Sequence, residues 1–418
     1  MKFNKALAAF AAVAVTAAVA YAANIPLITG PQDPSQLNAS LNNLINQINS
    51  GITQTTIAQF NSNDRNILDN GTLEITQRGT GVITCAANAG ITSAAYGADR
   101  WGCQANVAVG AGRQQVITAT PTPPAGFKNA MTLFRTSGAL TQPICTWQEI
   151  PTADVLKLSG QQVLFSAYLQ ALAGMSADNG AIANLVIITG TGTDEGFGTP
   201  TASPAITPAW TGIATLANTA TPALSATAWS RPVATGVVAS TVTEMAVGLC
   251  FTPTATGAGA TDGFAWTGAQ LEVVGAGVTT PSTFSFKAAA YELRQAQRYF
   301  YRISEGAAAT FRGNGHVTTA GAGDANGKLQ WQIIFPMTMF KVPTMTYTAG
   351  FAGFTTTGET AATACSALAT DATLGTIAAS TQMVPVQCSL TSSTIAVGLS
   401  MSIVDNGGSG VVNASADF

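Results

Sequence analysis

The sequence is poor in charged residues and in histidine. Asp, Glu, Lys and Arg make up 9% of the 418 residues, and His316 is the single histidine, whereas an ordinary soluble domain has about 25% charged residues. A Ser-His-Asp triad would need that histidine held rigidly beside a carboxylate, but the glycine-rich residues 312–316 are typical of a flexible turn. No pair of carboxylates marks a glycosidase site either. The sequence therefore predicts no catalytic residue.

Positive charge and metal-binding patterns are also scarce. Seventeen Lys and Arg against twenty Asp and Glu give a net charge of −3, which offers no basic footprint for a nucleic-acid backbone. The cysteines include no C-x-x-C pair, which argues against a zinc site. Asp194, Glu195 and Asp262 lack the D-x-D spacing of a calcium loop, and we interpret them as surface turns. We therefore expect no cofactor, no metal and no nucleic-acid partner.

The six cysteines are interpreted either as buried thiols or as disulfides. Cys85 with Cys103, and Cys365 with Cys388, have separations typical of hairpins. Spacing in the sequence does not fix the geometry that a disulfide requires. Both states therefore stay open at this point.

After the N-terminus, no apolar segment approaches the ~20 residues that a membrane span needs. The N-terminus itself has two lysines before the apolar run 6–20, and residues 20–22 have the small-x-small pattern of a signal-peptidase site before Ala23. Taken alone, this pattern indicates secretion. The alternative is that residues 1–23 form an anchor helix that is retained among neighbouring subunits.

Residues 24–65 combine an extended arm with a short amphipathic helix. The stretch 24–31 is too rich in Pro and Gly for a helix, whereas Asp33 and Pro34 form a helix start and Gly51 a stop. About two heptads are too short for a coiled coil that is stable alone. The apolar side is either packed on its own domain or lies at a symmetry axis, which makes four residues candidates for an oligomer seam: Leu37, Leu41, Leu44 and Ile48.

Strand and turn signals begin near residue 66. Short runs of β-branched and aromatic residues alternate with clusters of Gly, Pro, Asn and Thr. Seven or more such runs within 66–284 predict a jelly-roll β-sandwich, with the stretch 190–232 as long loops at one end. The candidate strands are 72–77, 106–117, 129–135, 162–169, 184–188, 243–252 and 263–274.

The remaining residues, 285–418, are expected to form a linking helix and a smaller C-terminal β domain. Residues 287–303 predict the helix, with Leu293 and Phe300 on its apolar face. The whole chain is thus predicted to be mostly β, with an N-terminal helix and arm, a central sandwich, a linking helix and the C-terminal β domain. The C-terminal candidate strands are 329–335, 344–351, 383–390, 394–404 and 411–418.

Two of the six tryptophans fall in the loop-rich stretch 190–232. Tryptophans in strands are mostly core residues, whereas an exposed indole gives a sugar both an apolar face and a polar edge. Trp210 and Trp229 are therefore the candidates for contact with a glycan.

Several motifs resemble those of a known family. Residues 70–80, NGTLEITQRGT, and residues 96–101, YGADRW, resemble the NGxFxIxQRGT and YxxDRW opening of a family of tailed-bacteriophage tail-fibre and virion surface proteins. The stretch 264–272, Pro281 and the stretch 291–300 are similar to the family's closing strand, proline and helix. The resemblance covers about residues 66 to 418.

This resemblance implies a jelly roll similar to carbohydrate-binding modules and a structural role in a virion. It further implies a homotrimer. We hypothesise that the N-terminal segment docks this trimer to other virion proteins. Within the motifs, we expect Arg78 and Arg100 to pair with acids or to cap carbonyls, and Trp101 to anchor the sandwich core. The N-terminal secretion pattern departs from the family, because phage structural proteins assemble in the cytoplasm.

The expected function is that of a non-enzymatic bacteriophage virion protein, a fibre, spike or decoration that contributes to host attachment. One alternative is a receptor-binding protein that recognises a host surface glycan. A second alternative is a bacterial carbohydrate-binding protein or depolymerase, secreted or located at the cell surface. These alternatives differ in localisation and in the need for a glycan site.

Overall fold

The structure is a computed structural model that describes residues 65–417 with internal gaps. The predicted apolar N-terminal segment and the seam of Leu37, Leu41, Leu44 and Ile48 lie outside the described residues. Within the described part of the chain, no helix is long and apolar enough to cross a membrane. The gaps are 88–94, 106–111, 136–142, 176–180, 197–209, 254–261, 304–310, 319–327, 348–350, 356–362, 371–379, 391–399 and 406–411.

In the described residues before 275, thirteen strands form two sheets that pack face to face. A short helix, α1 (Thr152–Val155), and a 3-10 turn (Leu156–Leu158) follow the seventh strand. The strands are β1 (Ile83–Thr84), β2 (Ala86–Ala87), β3 (Ala95–Tyr96), β4 (Gly102–Ala105), β5 (Gly112–Ile117), β6 (Ala130–Arg135), β7 (Ile144–Ile150), β8 (Gln162–Ala171), β9 (Asn184–Gly190), β10 (Ala214–Ala220), β11 (Val233–Val237), β12 (Glu244–Phe251) and β13 (Gly263–Val274).

The strand order identifies a β-sandwich. One sheet has the order β1-β5-β6-β13-β8-β11, and the other has the order β10-β9-β12-β7-β4-β2 with β3 beside β4. All pairings except that of β2 with β4 are antiparallel. Sequence neighbours such as β6 and β7 lie in different sheets, which is typical of double-sheet jelly rolls. The structure thus confirms the prediction of a mostly β protein with a central sandwich.

The core lies between the two sheets, because alternate side chains of each strand point inward. On β12, alternate apolar residues from Met245 to Phe251 point into this core. Ala246 and Cys250 point the other way and belong to a smaller apolar cluster on the outer face of the sheet. Trp101 is fully buried and its ring centroid lies 4.6 Å from that of Trp266, in an edge-on arrangement. The prediction that Trp101 anchors the core is confirmed.

A second group of strands follows helix α2 (Ala289–Gln297). Three of them form a small sheet in the order β14-β22-β17, and six close into a barrel in the order β15-β16-β20-β19-β18-β21. The strands are β14 (Phe300–Ile303), β15 (Phe311–Thr318), β16 (Lys328–Ile334), β17 (Thr344–Tyr347), β18 (Phe351–Thr355), β19 (Thr363–Thr370), β20 (Met383–Leu390), β21 (Ser400–Asp405) and β22 (Val412–Ser415).

The prediction of a strand at residues 72–77 is wrong. This segment is irregular and bonds to Asn70 rather than to a neighbouring strand: the Asn70 side chain accepts from the Ile75 N–H at 3.0 Å and donates to the Ile75 carbonyl at 2.8 Å. Asn70 and Leu73 both have positive φ, of 50° and 60°, which a regular strand does not contain. An asparagine side chain that competes with the strand ladder accounts for the error.

The linking helix is shorter than predicted. It ends at Gln297, and residues 300–303 instead form β14, which pairs with β22. The buried face of the helix carries Glu292 and Ala296, whereas Leu293 is 37% exposed. Aromatic and β-branched residues after Gln297 favour a strand where a sheet edge is available.

Two stretches predicted to be loops or turns contain strands. The range 190–232 includes β10, an edge strand with an exposed pattern. His316 lies within β15, where its backbone pairs with Gln330 and Ser400, so the prediction of a flexible turn is wrong. Tertiary pairing stabilises a strand there despite its glycines.

The cysteines form two disulfides among the described side chains. Cys85 bonds to Cys103, one of the two hairpin-like pairs. The other disulfide joins Cys145 of β7 to Cys250 of β12, which are direct cross-strand partners. The side chains of Cys365 and Cys388 lie outside the description, so their pairing stays a prediction.

Candidate functional site: the motif junction and two tryptophans

The residues that carry the family resemblance gather where the sandwich meets the small C-terminal sheet. We call this contact the motif junction. Its sandwich side is irregular backbone beside β3 and β4, and its other side comprises the end of α2, the start of β14 and the residues after β22. The residues of the motif junction are Asp69, Asn70, Gln77, Arg78, Tyr96, Asp99, Arg100, Tyr299, Phe300 and Asp417.

Arg78 connects the two sides of the motif junction. Its guanidinium lies 3.0 Å from Asp99 Oδ1 and also forms an ion pair with Asp417. It stacks over the Phe300 ring at 3.7 Å and lies 4.5 Å from the Tyr96 ring centroid. A planar guanidinium suits this combination of carboxylate and aromatic contacts, which a lysine would not reproduce.

Arg100 is the buried cation of the motif junction, with a residue exposure of 2%. Its Nε donates to Asp69 Oδ2 at 3.3 Å and its Nη2 to the Glu149 carbonyl at 2.6 Å. The guanidinium carbon lies 3.5 Å from the Tyr299 ring centroid. The expectation that both motif arginines pair with acids or cap carbonyls is confirmed.

Hydrogen bonds between side chains and main-chain groups also connect the two sides. Gln77 donates through its side-chain amide to the Phe300 carbonyl at 2.8 Å, and the Arg302 guanidinium donates to the Gln77 carbonyl at 3.2 Å. Asn70 donates to the Asp99 carbonyl at 2.9 Å, and its own N–H donates to Glu292. These polar motif side chains therefore bond within the chain, which is the behaviour of a structural junction.

Burial shifts the pKa values of acids at and beside the motif junction upward. It raises the pKa of Asp99 to about 6, although Arg78 and the Gln77 N–H oppose the shift. It likewise raises the pKa of Glu292 to about 7, with Lys287 opposing. The pKa of the fully buried Glu149 carboxyl lies well above its usual range because of burial. In each case removal from water disfavours the charged form of the carboxyl.

Trp210 is 5% exposed. Its indole N–H donates to the Gly196 carbonyl at 3.1 Å, and its ring packs in the cluster on the outer face of the seven-stranded sheet, beside Trp147 and the Cys145–Cys250 disulfide. Little of the ring is left for stacking on a sugar, so the structure gives this glycan candidate a packing role.

Trp229 is half-buried and lies on the outer face of the six-stranded sheet. Its N–H donates to the Thr122 carbonyl at 2.9 Å, which fixes the orientation of the indole. Ser230 pairs with Leu169 in an antiparallel bridge, and this register places Trp229 opposite Gln170 and Arg231 opposite Tyr168 of β8. The structure thus separates the two tryptophan candidates, which lie on different sheets.

Further aromatic residues extend the surface near Trp229. The Phe127 ring centroid lies 5.4 Å from that of Tyr168 and 5.2 Å from that of Phe286, which is 49% exposed. Arg231 stands beside Tyr168, at 5.2 Å from its ring centroid, and donates to the Ser282 carbonyl. We call Trp229, Tyr168, Phe127, Phe286 and Arg231 the aromatic surface. Sequence reasoning identified only Trp229 of this set, because the others come from separate loops and strands.

The acidic residues Glu195 and Glu244 form a further cluster at one end of the sandwich. The Glu195 N–H donates to the Glu244 carboxylate, while Thr211 donates to Glu195 from both its N–H and its hydroxyl. Burial raises the pKa of Glu244 to about 7, and the hydrogen bonds from Thr211 lower that of Glu195. No group of three or more potential metal ligands occurs among the described residues.

Asp262 does not lie in a surface turn. Its carboxylate is fully buried and lies 2.6 Å from the equally buried Arg135 guanidinium. The pairing of β13 with β6 brings the two residues together. A buried charge requires such a partner, and the residues around Asp262 do not indicate which arginine supplies it.

No known protein-family profile matches the chain, and no curated protein sequence matches it. Several solved structures do match the chain. The carbohydrate-binding module CBM61 in complex with β-1,4-galactotriose matches 50% of this chain and 99% of its own, at 10% identity and a TM-score of 0.26. The enzymatically active domain of bacteriophage CBA120 tailspike protein 4 matches 50% of this chain and 22% of its own, at 8% identity and a TM-score of 0.28.

A cyclase from Fischerella sp. TAU also matches, over 48% of this chain and all of its own length, at 8% identity and a TM-score of 0.29. At such identities and TM-scores, these similarities support no argument about function. The assignment of a β-sandwich rests instead on the strand order and on the core between its two sheets.

Proposed function

We propose that the chain is a structural protein of a bacteriophage virion, docked through its N-terminal segment and projecting its β domains outward as a fibre, spike or decoration. The observation that supports this proposal is the motif junction. In a chain with only 9% charged residues, the arginines of the resemblance hold two β units together through ion pairs and ring stacking. A projecting particle component benefits from such a fixed connection.

The proposal predicts that the protein is a stoichiometric component of purified phage particles. Mass spectrometry of gradient-purified virions should detect the chain with peptides from residues before Ala23, and the isolated protein should have three times the chain mass in solution. Immunogold labelling would then locate it at the head or the tail. A chain that begins at Ala23 and occurs in bacterial culture medium but not in particles would instead establish the secreted bacterial alternative.

A second candidate function is recognition of a host surface glycan through the aromatic surface. A half-buried indole with a fixed orientation, on the same sheet face as the Tyr168 ring and the Arg231 guanidinium, offers stacking and polar contacts of the kind that sugars use. This function is compatible with a place in the virion and also with the secreted alternative.

We expect Trp229→Ala to reduce binding to an immobilised glycan panel at least tenfold, because the indole would supply most of the stacking area. Arrays of bacterial surface polysaccharides, followed by calorimetry on any positive, would measure the effect. Trp210→Phe is the matched control, since Trp210 is buried on the other sheet. Undiminished binding by Trp229→Ala would exclude the aromatic surface as the site.

A further inference from the structure

Lys287, Asp69 and Glu292 form a buried cluster beside the motif junction. The Lys287 amine lies 4.0 Å from Asp69 Oδ1 and donates to the Leu68 carbonyl at 2.8 Å. The side chains of Lys287 and Asp69 are only 6% and 17% exposed. An amine and a carboxyl are therefore held next to each other with restricted access of water.

Glu292 bonds to the same loop, one residue after Asp69. It is 5% exposed and accepts a hydrogen bond from the N–H of Asn70, the residue after Asp69. Burial raises its pKa to about 7, and both Lys287 and Asp69 act on its charge. A carboxyl of this pKa can both accept and donate a proton at neutral pH.

A cation lies on the other side of Asp69. The Arg100 Nε donates to Asp69 Oδ2 at 3.3 Å, whereas Lys287 approaches Oδ1. Negative charge that develops on Oδ2 during attack at the carboxyl carbon would be stabilised by this guanidinium. The three neighbours of Asp69 thus offer a nucleophile, a proton carrier and an oxyanion donor.

We propose that Lys287 and Asp69 condense to an intramolecular isopeptide bond, with Glu292 transferring the protons. None of the described ion pairs joins Glu292 directly to Lys287, so one proton passes from the Lys287 ammonium to the ionised Glu292 through an intervening water. The free amine then attacks Asp69 Cγ while Arg100 stabilises Oδ2. Glu292 returns the proton to Oδ1, which leaves with a second amine proton as water. The lysine ammonium and the aspartate carboxylate become one neutral amide and one water, so no oxidant or further reactant is needed.

The bond would join the loop that opens the sandwich to the segment that enters α2. The first segment bears residues of the motif junction, and α2 ends at that junction, so the cross-link would prevent the first motif from separating from the linking helix even when hydrogen bonds break. Such a covalent closure limits the freedom of the unfolded chain in the way that a disulfide does, and it does not depend on redox conditions.

The test is the mass of the full chain after reduction of its disulfides. We expect a mass about 18 Da below that of the sequence, equivalent to one water. Trypsin should fail to cleave after Lys287 and should release the peptide 66–78 attached to the peptide that contains Lys287. A reduced chain of full mass that is cleaved after Lys287 would overturn the proposal.

Matched variants test whether an amide bond forms between Lys287 and Asp69, rather than only a close contact. Lys287→Arg and Glu292→Gln should both restore the full mass, whereas Asp69→Asn should lose about 17 Da, because ammonia replaces water as the leaving group. Lys157 is the internal control. Its amine lies 2.6 Å from Asp154, but its side chain is 73% exposed, and no second carboxyl forms a described hydrogen bond beside it, so we expect no amide bond there. An unchanged mass loss in Glu292→Gln would exclude Glu292 as the proton carrier.

Discussion

Replacing Asp262 by Ala should lower the free energy of unfolding by about 3–5 kcal/mol, the cost typical of breaking a buried ion pair. The carboxylate and the Arg135 guanidinium are both fully buried at a separation of 2.6 Å. Asp262→Ala removes the carboxylate that offsets the buried guanidinium charge, and β6 and β13 leave that charge no route to water. Urea unfolding, with the midpoint and its slope fitted together, measures the loss.

Two further variants give this prediction its controls. Asp154→Ala removes an exposed ion pair with Lys157 and should cost less than about 1 kcal/mol. The double variant Arg135→Met with Asp262→Leu should recover most of the stability, because two apolar side chains in contact leave no buried charge. A loss below about 1 kcal/mol in Asp262→Ala would mean that the site is hydrated rather than dry.

Asp262 also shows where sequence reasoning ends. Its neighbours are rich in Gly, Thr and Ala, so the local pattern indicates a turn. Its burial follows from the pairing of Gly263 with Phe134, which places it beside Arg135 from a distant part of the chain. Local periodicity reports which face of a strand is apolar, but it does not report which strand lies alongside.

The sequence predicts a strand accurately where the residues of that strand are themselves strong strand formers. The ranges 263–274 and 383–390 agree with β13 and β20 at both ends, because each has a dense run of strand-forming residues between clear breaks. The range 72–77 failed for the opposite reason, since the Asn70 side chain satisfies its backbone. Residues 300–303 continue a helical pattern but pair with β22, so a tertiary contact overrides the local preference.

The contacts at the candidate site also include some that the sequence predicts and some that it does not. The motif indicated that Arg78 and Arg100 would pair with acids, since few residue types can satisfy a buried guanidinium. It did not indicate that one partner would be Asp417, at the other end of the described chain, nor that Glu292 and Lys287 would lie beside Asp69. Such contacts depend on how separate sheets meet, and a single sequence contains no signal for that.

Trp101→Ala should destabilise the protein by about 3–5 kcal/mol, the range for removing a large aromatic side chain from a core. Trp101 is fully buried, contacts Trp266 edge-on at 4.6 Å and donates its indole N–H to the Asn70 carbonyl at 3.1 Å. Its loss leaves a cavity between the sheets and removes a tie to the first motif. Urea unfolding and near-ultraviolet circular dichroism would report the stability and the packing.

The matched controls for this prediction use two other aromatic changes. Trp101→Phe keeps most of the apolar contact but loses the hydrogen bond to Asn70, so it should cost about 1–3 kcal/mol. Trp229→Ala removes a half-buried indole outside the core and should cost less than either. If Trp101→Ala destabilises no more than Trp229→Ala, the first motif does not depend on the sandwich core, and the motif junction would have to be stabilised by its own ion pairs and hydrogen bonds.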